Sequence, residues 1–196
     1  MRRVRRLAKI TADWKPSDAT IPKELDSSTV RLAEAYYDIV QPRPGARTRD
    51  RQARIDGWIG QLSFQSLLIK LKIPFIPHVP IYSPLDPEYG VPYDFYVEGV
   101  GTIEAKGTAR LPYYKMFMVN IREWKRAPCD YGVGVKVRSD TEAVIMGWLP
   151  RDEIEKLNVK NDGSGDAYYC NLTEMKPMSS FIEKLKAVKS KLADRS

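Results

Sequence analysis

The chain has 196 residues, 43% of them hydrophobic and 29% charged, with a formal net charge of +7. That is long enough for one sizeable core and too apolar for a disordered chain. No apolar run approaches the ~20 residues that cross a bilayer, and the basic start Met1-Arg2-Arg3-Val4-Arg5-Arg6 lacks the apolar stretch of a secretory signal. A cytoplasmic protein with no membrane partner is therefore expected.

Residues 1–26 read as a basic arm with little regular structure, interrupted by Pro16 and Pro22, ahead of a single domain over 27–196. Ser27-Ser28-Thr29 offers an N-cap for a helix to about Val40, broken by Gln41-Pro42-Arg43-Pro44-Gly45. An Arg-rich loop leads into a second helix over 51–72, where Ile55, Ile59 and Leu62 repeat at helical spacing with Trp58 beside them. Gly57 and Gly60 lower its helix propensity but permit close packing against a sheet, and Pro74 ends it. Residues 75–82 suit an edge strand or extended segment, and 83–90 a loop.

Two strands follow, Pro92-Tyr93-Asp94-Phe95-Tyr96-Val97 and Thr102-Ile103-Glu104-Ala105-Lys106, with a turn at Val100-Gly101. Residues 111–120 are ambiguous between strand and helix. Residues 121–127 predict a short helix stopped by Pro128, 131–137 and 143–149 core strands, and Pro150-Arg151-Asp152-Glu153 the start of a short helix. A turn at 161–165 and a strand at 168–172 precede a last helix, whose N-terminus reads as a capping box of Ser180 and Glu183. Helices and strands alternate within one domain, so the expected class is α/β, a central mixed sheet flanked by helices.

The chemistry concentrates in the two strands at 92–106. Strand side chains alternate between faces, so Glu104 and Lys106 share one face while Ile103 and Ala105 share the other. A hairpin would set Asp94 beside Glu104, with Lys106 one step on. Two carboxylates can hold Mg²⁺ or Mn²⁺, with the Ala105 carbonyl as a third oxygen. The ion polarises a phosphodiester and lowers the pKa of a bound water, and Lys106 positions or helps deprotonate that water. Alternating Glu and Lys also occur on strands for solubility alone. Asp86 and Glu88, in the preceding loop, are turn residues that become ligands only if the strand register differs.

This arrangement resembles the PD-(D/E)XK nuclease superfamily, whose motif is an Asp on the second strand and (Asp/Glu)-X-Lys on the third. Asp94, Glu104 and Lys106 match it over about residues 51–137. The resemblance implies a restriction-endonuclease-like αβββαβ core, DNA as partner, Mg²⁺ or Mn²⁺ as cofactor, and endonucleolytic hydrolysis. The first helix of that fold often carries a Glu facing the metal; here Gln61, after Gly57-Trp58-Ile59-Gly60, stands in that place and brings no charge. Pro92-Tyr93-Asp94 also replaces an adjacent Pro-Asp pair. Gln65, one turn further along the helix, reads as a surface residue.

The net positive charge fits a polyanion. Arg47, Arg49, Arg51 and Arg54 cluster before and within the second helix, and Arg110, Tyr113 and Lys115 follow the motif. Arginine forks suit phosphates and tyrosine can stack on a base, although each such residue alone is more often a solvated loop or helix face. His78, the only histidine, has no nucleophile motif beside it, and Cys129 and Cys170 are too few for a zinc cluster or a disulfide framework. No phosphate-binding Gly-x-x-x-x-Gly-Lys loop is present. Two other readings stand beside the nuclease: a non-catalytic nucleic-acid-binding protein on the same scaffold, which Gln61 favours, and an assembly protein whose motif is coincidental. Cutting both strands at one place takes two active sites, which a homodimer would provide.

Overall fold

A computed structural model describes residues 21–25, 27–39, 51–77, 93–108, 116–161 and 165–193. It is an α/β protein built on a six-stranded mixed sheet in the order β1-β7-β6-β4-β3-β2. These strands are β1 (Ile21–Glu24), β2 (Ile76–Pro77), β3 (Phe95–Val97), β4 (Gly101–Thr108), β6 (Tyr131–Val137) and β7 (Glu142–Pro150). A second sheet, β5-β9-β8, consists of Met116–Asn120, Asp166–Asn171 and Asn158–Asn161. The helices are α1 (Ser27–Ile39), α2 (Arg51–Lys70), α3 (Ile121–Arg126), α4 (Arg151–Ile154) and α5 (Met178–Ala193).

Within the main sheet, the segment from α2 onward follows the expected αβββαβ order, with β5 of the second sheet inserted before α3. After α2, strands β2, β3 and β4 pair antiparallel in succession. The chain then crosses over through β5 and α3 and returns as β6, parallel to β4. Two apolar cores lie on the two faces of the sheet. One joins α2 through Ile55, Ile59, Phe64 and Leu68 to Ile103, Ala105 and Val133 of the sheet, and to Phe181 and Leu185 of α5. The other gathers Phe117, Trp124, Ile154 and Leu172 against Val144 and Met146.

Gly60 and Gly107 set how near α2 lies to β4. A Cβ on Gly60 would fall 2.4 Å from the Gly107 Cα, and one on Gly107 would fall 2.5 Å from the Asp56 carbonyl oxygen. The helix ends in a Schellman motif: Lys72 takes φ 54, its N–H donates to Ile69, and Ile73 donates to Leu68. Pro74 follows directly.

Several local expectations change. Ile21–Glu24 is an edge strand on β7, not part of an irregular arm, because its backbone pairs with residues 142–145. Residues 1–20 lie outside the described residues. The ambiguous stretch resolves as strand from Met116, paired with β9, and an unforeseen strand, Asn158–Asn161, closes a hairpin with β9. The Ser180–Glu183 capping box is absent, since α5 begins at Met178. The Ser180 hydroxyl instead donates to the Pro177 carbonyl and accepts from Trp148 Nε1. A capping box does form at Asn171 and Glu174. Among the described residues no helix is long and apolar enough to cross a membrane.

Candidate active site

β3 is shorter than expected, and that shapes the site. Its ladder with β4 pairs Phe95 with Ile103 and ends there, with Asp94 N donating to the Ile103 carbonyl at 3.0 Å. One step on, the Asp94 side chain takes over from the missing backbone. Its Oδ2 accepts from Ala105 N at 2.7 Å. Its Oδ1 accepts from Gln61 Nε2 on α2, also at 2.7 Å. Asp94 is buried, so these bonds offset the loss of water around its oxygens. A strand residue sends its N–H and C=O to the same edge. The Ala105 carbonyl therefore faces the edge that β3 has vacated, beside Asp94.

Glu104 and Lys106 lie on one face of β4 and form an ion pair. Their partners in the parallel ladder with β6 are Gly132 and Gly134. No cross-strand side chain competes with them. Instead Phe117 closes over Gly132 and Leu172 over Gly134, so the pair sits at the rim of the second core. Glu104 is 16% exposed and Lys106 35%.

The electrostatics follow from this crowding. Burial raises the Asp94 carboxyl well above the usual carboxylate range, and Glu104 pushes it further, against the pull of Lys106 and the Ala105 N–H. Burial works against the Lys106 ammonium, but Glu104 and Asp94, with Glu123 behind them, outweigh it and lift its pKa above the ordinary lysine value. Lys106 is thus held as an ammonium by the two carboxylates beside it. Cys129 lies within the field of both carboxylates, and its thiol is pushed up by burial first and by Glu104 and Asp94 second.

Two carboxylates with one ammonium leave a surplus of hard oxygen donors. Among the described residues no group of three or more His, Cys, Asp or Glu side chains is placed to hold a metal. A cation here would rest on Asp94, Glu104, the Ala105 carbonyl and water. That set suits Mg²⁺ or Mn²⁺, which keep several waters, and does not suit zinc.

The structure brings Asp94, Glu104, Lys106 and Gln61 together. Of the basic candidates, Arg51 and Arg54 stand at the start of α2 over the Tyr37 ring, their guanidinium carbons 5.2 and 4.6 Å from its centroid. Arg47, Arg49, Arg110, Tyr113 and Lys115 lie outside the described residues, as do His78, Asp86 and Glu88. Asp130 holds β4 to β6 by accepting from Thr102 N and Oγ1. Gln65 is not a plain surface residue: with Gln61, Tyr36, Trp58 and Leu62 it lines a small cavity that opens beside Asp94. Its spacing of four from Gln61 was the available signal. Tyr36 could not be placed there from sequence, because it comes from another helix.

No protein-family model, no curated protein and no solved structure matches this chain.

Proposed function

We propose that this protein is a metal-dependent DNA endonuclease of the PD-(D/E)XK type. The observation that carries the reading is the meeting of Asp94, Glu104 and Lys106 at one sheet edge, at the end of a three-strand meander packed on α2. The αβββαβ order around that edge is the one the restriction-endonuclease-like fold uses. The net charge of +7 suits a phosphodiester polyanion.

In this reading Asp94 and Glu104 hold the cation, with the Ala105 carbonyl beside them. Bound Mg²⁺ or Mn²⁺ supplies Lewis-acid polarisation of the scissile phosphate and a water of lowered pKa. The protein's own part is to hold geometry and charge. Gln61 and the Ala105 N–H fix the Asp94 carboxylate by one bond to each oxygen, leaving a lone pair on each for a ligand. Lys106 would position the attacking water or help deprotonate it, and donate to the phosphate oxygens as charge builds on them. Gly60 and Gly107 keep α2 near enough for Gln61 to reach.

The test is incubation of the purified protein with linear, nicked, branched and single-stranded DNA in Mg²⁺, Mn²⁺ or EDTA. Cleavage should need the metal and disappear in Glu104→Ala and Lys106→Ala. Failure to cut any of these DNAs with either ion, or full activity in either variant, would overturn the reading. One observation favours a second reading, a DNA-binding protein with little catalysis: a neutral amide, Gln61, occupies the helix position beside Asp94. Metal-independent DNA binding without cleavage would select it.

A further inference from the structure

Five residues of α2 form a stripe: Arg51, Arg54, Trp58, Gln61 and Gln65. At 100° per residue they fall within about 80° of one another around the helix axis, over roughly 21 Å. The stripe starts with two guanidinium groups on the Tyr37 ring. It continues past Trp58, whose ring lies 5.0 Å from that of Tyr36. It ends at the Gln61 and Gln65 amides, which line the cavity beside Asp94. Cations, then the half-buried Tyr36 beside the buried Trp58, then amides lie in order toward the carboxylates.

We propose that this stripe is the track of an unpaired DNA strand, and that the cavity takes one unpaired nucleobase next to the phosphate to be cut. The inference rests on the nuclease reading and adds the substrate class: single-stranded, overhanging or flapped DNA in preference to continuous duplex. Each group has its reason. Two guanidinium groups over one ring can fork a phosphate. Aromatic walls accept any base by its face, and amides can donate to and accept from its edge. A base within a duplex is stacked on both sides and cannot enter such a cavity unless it is flipped out.

Binding of fluorescein-labelled single-stranded, 3′-overhang and blunt duplex DNA, measured by anisotropy in EDTA, tests this without relying on cleavage. Single strand and overhang should bind roughly tenfold or more tightly than blunt duplex. Arg51→Gln with Arg54→Gln should weaken all three, roughly tenfold at moderate salt. Gln65→Ala, with its melting temperature checked, should narrow the preference several-fold. A terminal 2-aminopurine on the single strand reports the base in the wild-type protein itself, and its fluorescence should fall on binding as the base meets the Tyr36 and Trp58 wall. Blunt duplex bound as tightly as single strand, or a bound strand whose 2-aminopurine is unchanged, would overturn the inference. Metal-dependent cleavage with no strand preference sinks this inference alone, whereas strand preference with no cleavage of any DNA sinks the nuclease reading alone.

Discussion

Replacing Asp94 with asparagine and, in parallel, with alanine separates the charge of this side chain from its hydrogen bonds. The asparagine oxygen can keep the bond from Ala105 N. Its amide can donate to Gln61 once the Gln61 amide rotates to present oxygen. Alanine removes the acceptor of the Ala105 N–H at the edge that β3 has vacated, and a buried donor so orphaned costs about 1–3 kcal/mol. Asp94→Asn should therefore melt above Asp94→Ala by roughly 2–12 °C for a chain of this size. The charge appears in the pH dependence. Asp94 has a folded-state pKa raised by burial and then by Glu104. Its contribution to stability is fully present below the unfolded carboxylate pKa and is lost as pH rises through the higher folded value. In EDTA, the wild type should thus lose stability relative to Asp94→Asn as the pH rises above the ordinary carboxylate range of about 4. Mn²⁺ should stabilise the wild type and neither variant, and both variants should fail to cleave DNA. Urea melts in EDTA at rising pH give the answer. A wild-type-to-asparagine difference that does not change with pH, or an alanine variant as stable as the asparagine one, would refute the account of Asp94 as a buried, doubly bonded carboxylate under repulsion.

Gly60→Ala should destabilise the fold by about 1–3 kcal/mol, because its Cβ meets the Gly107 backbone at 2.4 Å. Gly57→Ala, whose Cβ meets nothing within 4 Å, should be neutral or up to about 1 kcal/mol stabilising; equal melting of the two variants contradicts the close approach of α2 to β4. Gln61→Glu replaces a 2.7 Å hydrogen bond with a third carboxylate beside Asp94. It should lower the melting temperature in EDTA at pH 8 and raise Mn²⁺ affinity roughly tenfold or more by calorimetry, so an unchanged isotherm would place the cation elsewhere. Cys129 and Cys170 are buried thiols, with Cys170 pushed up to about 12 by burial first and Glu174 second. Both should resist iodoacetamide at pH 8 until urea unfolds the chain, and rapid labelling of the native protein at Cys129 would contradict its burial behind the carboxylates.

The sequence alone determined what depends on local periodicity. A strand alternates with period two, so Glu104 and Lys106 had to share a face. A helix repeats every 3.6 residues, so the apolar stripe of Ile55, Ile59 and Leu62 marked α2 and its buried side. The alternation of helices with strands carried the α/β class. The second sheet was less legible: β8 is a short, exposed Asn-Val-Lys-Asn stretch that is a strand only because β9 pairs with it. The same holds for β1, whose Pro22 reads as a breaker until β7 offers an edge to it. The tertiary structure alone decided how the site is assembled. Sequence pattern could put Asp94 beside Glu104, but not show that β3 stops at Phe95 and leaves the Asp94 side chain to bond Ala105 N. Nor could it show that Gln61, 33 residues upstream, donates to the same carboxylate. Periodicity says which side chains share a face, whereas distances between elements depend on packing, here on two glycines that let a helix backbone touch a strand backbone.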